Sequence, residues 1–169
     1  MEDSERSFAK IKASDLERLA LLCKEDREEF FSRHPRWKQL YADRILCVAL
    51  CQGAAVHYID GKNGVKDFDV WTYYAKHPTA AFPWRRISRK DYGLSKFGKN
   101  PDDAGYSGRR VDLLARSLPF APDADPIQCI RAYLSDGHTK TADELARKAV
   151  ILVEPKDLLG TIVWPKESF

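Results

Sequence analysis

Apolar positions along the chain first fall into a helical rhythm. Leu16, Leu19, Ala20, Cys23 and Phe30 share one stripe at the three-to-four-residue spacing of an amphipathic helix. Ser14 and Glu17 have the spacing of a capping box, which predicts a helix beginning near Ser14. Pro35 bounds that helix, and a short second one, roughly Pro35 to Asp43, opens with the proline in its first turn. The rhythm then stops: Ile45-Leu46-Cys47-Val48-Ala49-Leu50-Cys51 is apolar throughout. Over so short a run periodicity does not separate helix from strand, so a helix from about Leu40 into Cys51 and a central strand both fit. The small residues Gly53, Ala54 and Ala55 permit close backbone approach. A short helix fits Ala54 to Ile59, and Asp60-Gly61-Lys62-Asn63-Gly64 has the composition of a turn.

The β-branched and aromatic run Asp67 to Tyr74 predicts a strand. Pro78 and Pro83 break the chain after it. Phe82 to Gly108 has no clean period, and a stretch of that length is either functional or hides a short element. Arg109-Arg110-Val111-Asp112-Leu113-Leu114 reads as another strand. In the tail, one helix is expected from Pro126 to Leu134, ended by Asp136-Gly137. A second runs from Thr141 to about Val153, opened by a capping box of Thr141 and Glu144, and Val153 to Pro165 adds an extended piece. With no internal repeat, the expectation is an α+β (α/β) fold of one domain over residues 1–169. A small mixed β-sheet carries an Asp-x-Asp strand and packs against helices at both ends of the chain.

Composition narrows this modestly. A chain of 169 residues suits one domain with a core of its own. The longest apolar run, Ile45 to Cys51, is far too short to span a bilayer, so no membrane partner is expected. Met1-Glu2-Asp3-Ser4-Glu5-Arg6 is polar, without a signal-peptide core. Cys23, Cys47, Cys51 and Cys129 lack metal-binding spacing, and Cys47 and Cys51, within an apolar run, read as small core residues; a reduced, cytoplasmic protein is the expectation. The net charge of +3 says little, but its distribution says more. Arg85, Arg86, Arg89, Lys90, Lys96, Lys99, Arg109 and Arg110 are interleaved with Trp84, Tyr92, Phe97 and Tyr106. That pattern suits either a nucleic-acid backbone and its bases or a solvated loop.

Candidate chemistry concentrates at Asp67 and Asp69. At i and i+2 of a strand the two carboxylates share a face, where like charges repel unless something compensates them. A divalent cation with a preference for carboxylate oxygens is such a partner. Asp112 adds a third carboxylate within the apolar frame of Val111 and Leu113.

In chain order, Gln52-Gly53-Ala54, Asp67-Phe68-Asp69 and Val111-Asp112-Leu113 resemble the motifs of the polymerase-β-type nucleotidyltransferase superfamily. The match covers about residues 45–114, with helical extensions on both sides. The resemblance implies a minimal, stand-alone metal-dependent nucleotidyltransferase moving a nucleotide onto a hydroxyl acceptor. It further implies Asp67, Asp69 and Asp112 as catalytic residues and ligands of Mg²⁺ or Mn²⁺, with two ions accommodated. A nucleoside triphosphate would be held by Gln52, Gly53 and Ala54 at a helix N-terminus and by Lys66, Arg109 and Arg110. Ala54 stands where the family carries serine. The alternative is a catalytically inactive nucleotidyltransferase-like module that binds nucleic acid or a partner protein. A metal-dependent nuclease ranks below both, because no Glu-x-Lys follows Asp67 within a strand's reach.

Plainer readings stand beside these. Asp67 caps a strand or turn, with Asp69 paired to Lys66 or Arg109; His57 is a packed, hydrogen-bonded residue; Trp71, Tyr73 and Tyr74 belong to the core and rim of the sheet. Trp37 and Trp164 read as packing anchors, and Cys51 as an inert thiol.

Overall fold

A computed structural model describes residues 5–83, 86–136 and 139–166, with the side chain of Arg86 excepted. Met1 to Ser4, Trp84 and Arg85 of the basic stretch, and the expected helix stop at Gly137 with His138 beside it, lie outside the described residues. Helices α1 (Ala13–Arg33) and α2 (Pro35–Tyr41) lead into strand β1 (Ile45–Cys51), helix α3 (Gln52–Asp60) and strand β2 (Phe68–Ala75). Strands β3 (Arg86–Asp91) and β4 (Arg110–Leu118) follow, then helices α4 (Pro126–Asp136) and α5 (Lys140–Ala146). Strand β5 (Val150–Glu154), a 3₁₀ turn (Lys156–Leu158) and strand β6 (Ile162–Trp164) complete the order. The six strands form one mixed sheet in the order β3-β4-β2-β1-β5-β6. Only β2 and β4 run parallel; the other neighbours are antiparallel. The fold is α+β, as the sequence implies.

Strand alternation builds a separate core on each face of the sheet. Val48, Leu50, Phe68, Val70, Val111, Leu113, Ile151 and Val153 pack against Leu16, Leu19 and Cys23 of α1 and Ala54 and Ala55 of α3. Cys47, Ala49, Cys51, Trp71, Tyr73 and Leu152 point the other way, toward Cys129, Ile130 and Leu134 of α4 and Leu145 of α5. The ambiguous run Ile45 to Cys51 is therefore a strand, and its unbroken apolarity is that of a strand buried on both faces. Among the described residues no helix is long and apolar enough to cross a membrane.

Several expectations need correction. The N-cap of α1 is Lys12, not Ser14. Asp15 takes the carboxylate role of the capping box, accepting the Lys12 N–H at 2.8 Å. Asp15 is fixed there because it also accepts the Tyr92 hydroxyl at 2.8 Å and pairs with Lys96 at 2.9 Å. Helix α5 is capped by Thr139, which accepts the Ala142 N–H at 3.0 Å, and it ends at Ala146 rather than near Val153. The β-branched segment Val150-Ile151-Leu152-Val153 instead joins the sheet between β1 and β6, where it is buried on both sides. The irregular stretch does hide an element, the edge strand β3. Finally, β2 begins at Phe68, so Asp67 lies in the bend before the strand and only Asp69 is carried on it.

Candidate active site

The end of β1 turns directly into α3, and Gln52 makes that turn with a left-handed φ of 64°. Among the described residues it is the sole residue other than glycine with positive φ. Such a conformation costs on the order of 1 kcal/mol for a side chain with a Cβ, and residues held this way cluster at functional sites. The Cys51 side chain at the N-cap makes no capping bond, and among the described residues no side chain accepts from the leading N–H groups at Gly53 and Ala54. The helix closes at Gly61, whose φ of 68° supplies the left-handed stop.

The following loop is tied back by His57, which is buried. Its Nε2 lies 2.9 Å from the Ala9 carbonyl, and its Nδ1 accepts the Gly64 N–H at 3.0 Å. One ring nitrogen donates and the other accepts, so His57 positions the chain before Asp67 and has no free nitrogen for a ligand. A bridge between Ser7 and Val65 brings the N-terminal segment, including Arg6, to the same loop.

Parallel pairing places Asp69 opposite Asp112, with Cys51 opposite Asp69 on its other side. Asp67, Asp69 and Asp112 thus meet at one end of the sheet. Arg110 lies among them, donating from Nε to Asp112 Oδ1 at 2.8 Å and from Nη2 to Asp112 Oδ2 at 3.1 Å. The same guanidinium reaches Asp67 Oδ2 at 3.0 Å and Asp103 Oδ1 at 3.2 Å. Arg89 adds a contact to Asp112 Oδ1 at 3.2 Å. Asp69 is different: its backbone belongs to the sheet, but among the described residues no hydrogen bond or ion pair reaches its carboxylate. Burial, with the charges of Asp67 and Asp112 adding to it, pushes its carboxyl up to about 7. Burial and Asp112 also raise Asp67, against the opposing pull of Arg110 and Lys66.

A cleft of about 190 Å³ opens at this point, lined by Gln52, Gly53, Ala54, Asp67 and Asp69 together with the cations Arg6, Lys66 and Lys148 and with Asn63. Carboxylates stand at one side, with cations and uncapped helix N–H groups around them. Such a cleft can hold a polyphosphate while keeping acidic groups beside it. Arg6, Asn63 and Lys148 were not legible in the sequence, because tertiary structure alone brings them to the cleft. Lys66 sits at the rim, 3.9 Å from Glu5.

Two expected phosphate contacts are placed differently. Arg110 is engaged with the carboxylates. Arg109 is buried and donates to the carbonyls of Phe97 at 2.8 Å, Glu5 at 2.8 Å and Lys66 at 3.3 Å, binding three segments together. Several described residues of the basic stretch are engaged with other parts of the protein, while Arg89, Lys96 and Lys99 remain exposed. Lys90 pairs with Glu29 at 3.3 Å and Lys96 with Asp15 at 2.9 Å, while Tyr92 and Phe97 pack on the buried Phe68 ring. Cys51 is fully buried, and burial holds its thiol well above the usual range, as expected of an inert core residue.

The donor chemistry of the three carboxylates suits a hard divalent cation. Their arrangement does not yet offer a finished cage: among the described residues no three His, Cys, Asp or Glu side chains gather closely enough to hold an ion. Arg110 already joins Asp67 and Asp112, so these two carboxylates would be available to a cation only with that guanidinium displaced. Comparison with family models, with curated proteins and with solved structures returned no match, and the chemistry of the site rests on this chain's own geometry.

Proposed function

We propose that the protein is a metal-dependent nucleotidyltransferase of the polymerase-β type, transferring a nucleotide onto a hydroxyl acceptor. The observation that carries this reading is the Asp69–Asp112 register on parallel strands, with Asp67 beside it, at the mouth of a cleft lined by cations and an uncapped helix start. Lys66, Lys148 and Arg6 bind the triphosphate oxygens, joined by the N–H groups at Gly53 and Ala54. Backbone N–H groups take over the part that serine would play at Ala54. Asp67, Asp69 and Asp112 are the residues that would hold Mg²⁺ or Mn²⁺ with Arg110 displaced, and the cation would supply charge neutralisation at the reacting phosphate. The acceptor hydroxyl forms a new bond to the α-phosphorus as the bond to the bridging oxygen of pyrophosphate breaks. The hydroxyl proton passes to a carboxylate, and pyrophosphate leaves with the electron pair.

The direct experiment incubates the chain with Mn²⁺, nucleoside triphosphates labelled at the α-phosphate, and fractionated small molecules and RNA as acceptors. Label transfer is expected, with loss of at least ~100-fold in Asp67→Asn and in Asp69→Asn. Transfer that survives both substitutions rejects the assignment.

The Arg110 bridge favours one second reading, a module of the same fold without turnover that binds nucleic acid or a partner protein. A guanidinium that never releases Asp67 and Asp112 would keep a cation out. Absence of Mn²⁺ binding in both the native chain and Arg110→Met selects this reading.

A further inference from the structure

Side-chain alternation along β4 puts Asp112, Leu114 and Arg116 on one face of the sheet. Ile87 and Arg89 of β3 share that face, being in register with Leu114 and Asp112. Helices α4 and α5 cover the central strands there, but β3 is left open: Ile87 is 54% exposed and Leu114 is half-buried. This face carries a groove along β4 beside α5, with Trp71 in its floor and Ile87 of β3 opposite α5 at the Asp69 end. It contains two cavities. One, of about 220 Å³, touches Asp69, Trp71, Ile87 and Leu114 and is flanked by Thr141 and Glu144 of α5. The other, of about 300 Å³, surrounds Arg116 and is lined by Phe120, Tyr133, Asp136, Thr139 and Ala142. Helix α5 and its cap thus border both.

Arg116 marks the far end. Its Nη1 donates to the Tyr133 hydroxyl at 2.6 Å and lies 3.5 Å from Thr139 Oγ1, with the guanidinium 5.8 Å from the Tyr133 ring centroid. Among the described residues it makes no ion pair, and Asp136 lines the same cavity without reaching it. A half-buried guanidinium in a largely apolar cavity, oriented by a tyrosine and unmatched by a carboxylate, is set up to receive an anion. Asp112 and Arg116 are four strand residues apart, which corresponds to about 13 Å.

We propose that this groove holds the acceptor, and that the acceptor is a small organic molecule. Its hydroxyl lies at the Asp69–Asp112 end, an apolar or planar part spans Trp71, Leu114 and Ile87, and a phosphate or carboxylate meets Arg116. The idea rests on the nucleotidyltransferase reading above for the direction of transfer, though the anion site stands on its own geometry. A nucleic-acid acceptor is disfavoured by the groove's charges. Among the described residues it offers one guanidinium without an ion pair, Arg116, flanked by Glu144 and Asp136, whereas a polyphosphate strand draws on a row of cations.

The test uses the isotope-labelled full chain in NMR titrations with phenyl phosphate, benzoate, a short oligothymidylate and, separately, inorganic tripolyphosphate. At least one aryl anion is expected to shift signals of Arg116, Tyr133 and Leu114 saturably. Affinity should fall roughly tenfold or more in Arg116→Gln. Arg116→Lys, which keeps the charge and guards against a folding artefact, should lose less. Preference for phenyl phosphate or benzoate identifies the anion as phosphate or carboxylate. Silence of the groove toward both aryl anions, equal affinity in Arg116→Gln, or stronger occupation of the groove by the oligonucleotide overturns the proposal. Tripolyphosphate binding in the Lys66–Lys148 cleft is read from the signals of Gly53, Ala54 and Lys148, apart from those of the groove. If it binds while the groove stays silent, only the acceptor proposal fails. If it does not bind while an aryl anion does, the nucleotidyltransferase reading fails and the anion site stands.

Discussion

Asp69 is the residue whose chemistry most depends on what the cleft contains. Its folded-state carboxyl titrates near 7 because burial and two neighbouring carboxylates disfavour the charge. In the unfolded chain it titrates near the ordinary aspartate value of about 3.9. The folded state therefore holds a proton that the unfolded state has lost, and stability falls as pH rises from about 4 to about 7. Below that window both states are protonated and the penalty is absent; above it the full penalty applies. Asp69→Asn should raise the melting temperature at pH 8, leave it nearly unchanged at pH 4, and flatten the profile between. Thermal unfolding across that range measures it, and an unchanged slope would refute the assignment to Asp69. Arg110 is the counterpart. Arg110→Met removes the guanidinium from Asp67 and Asp112, and calorimetry should show Mn²⁺ binding tightened by roughly tenfold, since an internal cation no longer competes.

At the scale of elements, strand β3 depends on a closed loop more than on its own sequence. Asp91, at the end of β3, accepts from Gly93 N–H at 2.9 Å, Ser107 N–H at 2.7 Å, Ser107 Oγ at 2.8 Å and Gly108 N–H at 2.9 Å. Burial works to raise its carboxyl, but these bonds win and hold it at about 2. Gly108 lies against Gly93 so closely that an added Cβ would overlap the Gly93 carbonyl oxygen. Gly108→Ala should therefore cost on the order of 2 kcal/mol and loosen β3, as read by chemical denaturation and by hydrogen exchange of the β3–β4 ladder. The polar run Arg-Ile-Ser-Arg-Lys-Asp hid this strand, because an edge strand held by backbone pairing and a loop needs no apolar alternation. The tail misled for another reason. A capping pattern and apolar residues suited one long helix, but Lys148 and Ala149 turn the chain and the β-branched segment after them finds a buried place beside β1.

On the scale of the whole molecule, the placement of Asp69 and Asp112 on strands and of a helix start beside Gly53 was legible, since the strand and helix signals lie next to them in sequence, whereas Asp67 falls in the bend before its strand. Arg6 and Lys148 were not, because their approach depends on the Ser7–Val65 bridge and on the docking of β5 against β1. Their convergence predicts a global effect of ligand. Mn²⁺ with a nucleoside triphosphate at about 100 times its dissociation constant should stabilise the native chain by roughly 2.7 kcal/mol, a rise of about 5–10 °C in Tm. Scanning calorimetry should find the rise absent in Asp69→Asn and reduced in Lys148→Ala.

The strand order separates two halves of the molecule by chain position. Residues 45–118 supply strands β3, β4, β2 and β1, the bend that holds Asp67, and the start of α3, and so all three carboxylates; the described elements after residue 118 add strands beyond β1 and helices on one face. Helix α5, with its wall of the groove, belongs wholly to that later part, as does Lys148. The carboxylates and much of the proposed acceptor groove are thus written in successive stretches of chain. On that proposal, variation within residues 119–149 would change the acceptor without altering the carboxylates, which makes that stretch the place to graft or randomise when a change of substrate is sought.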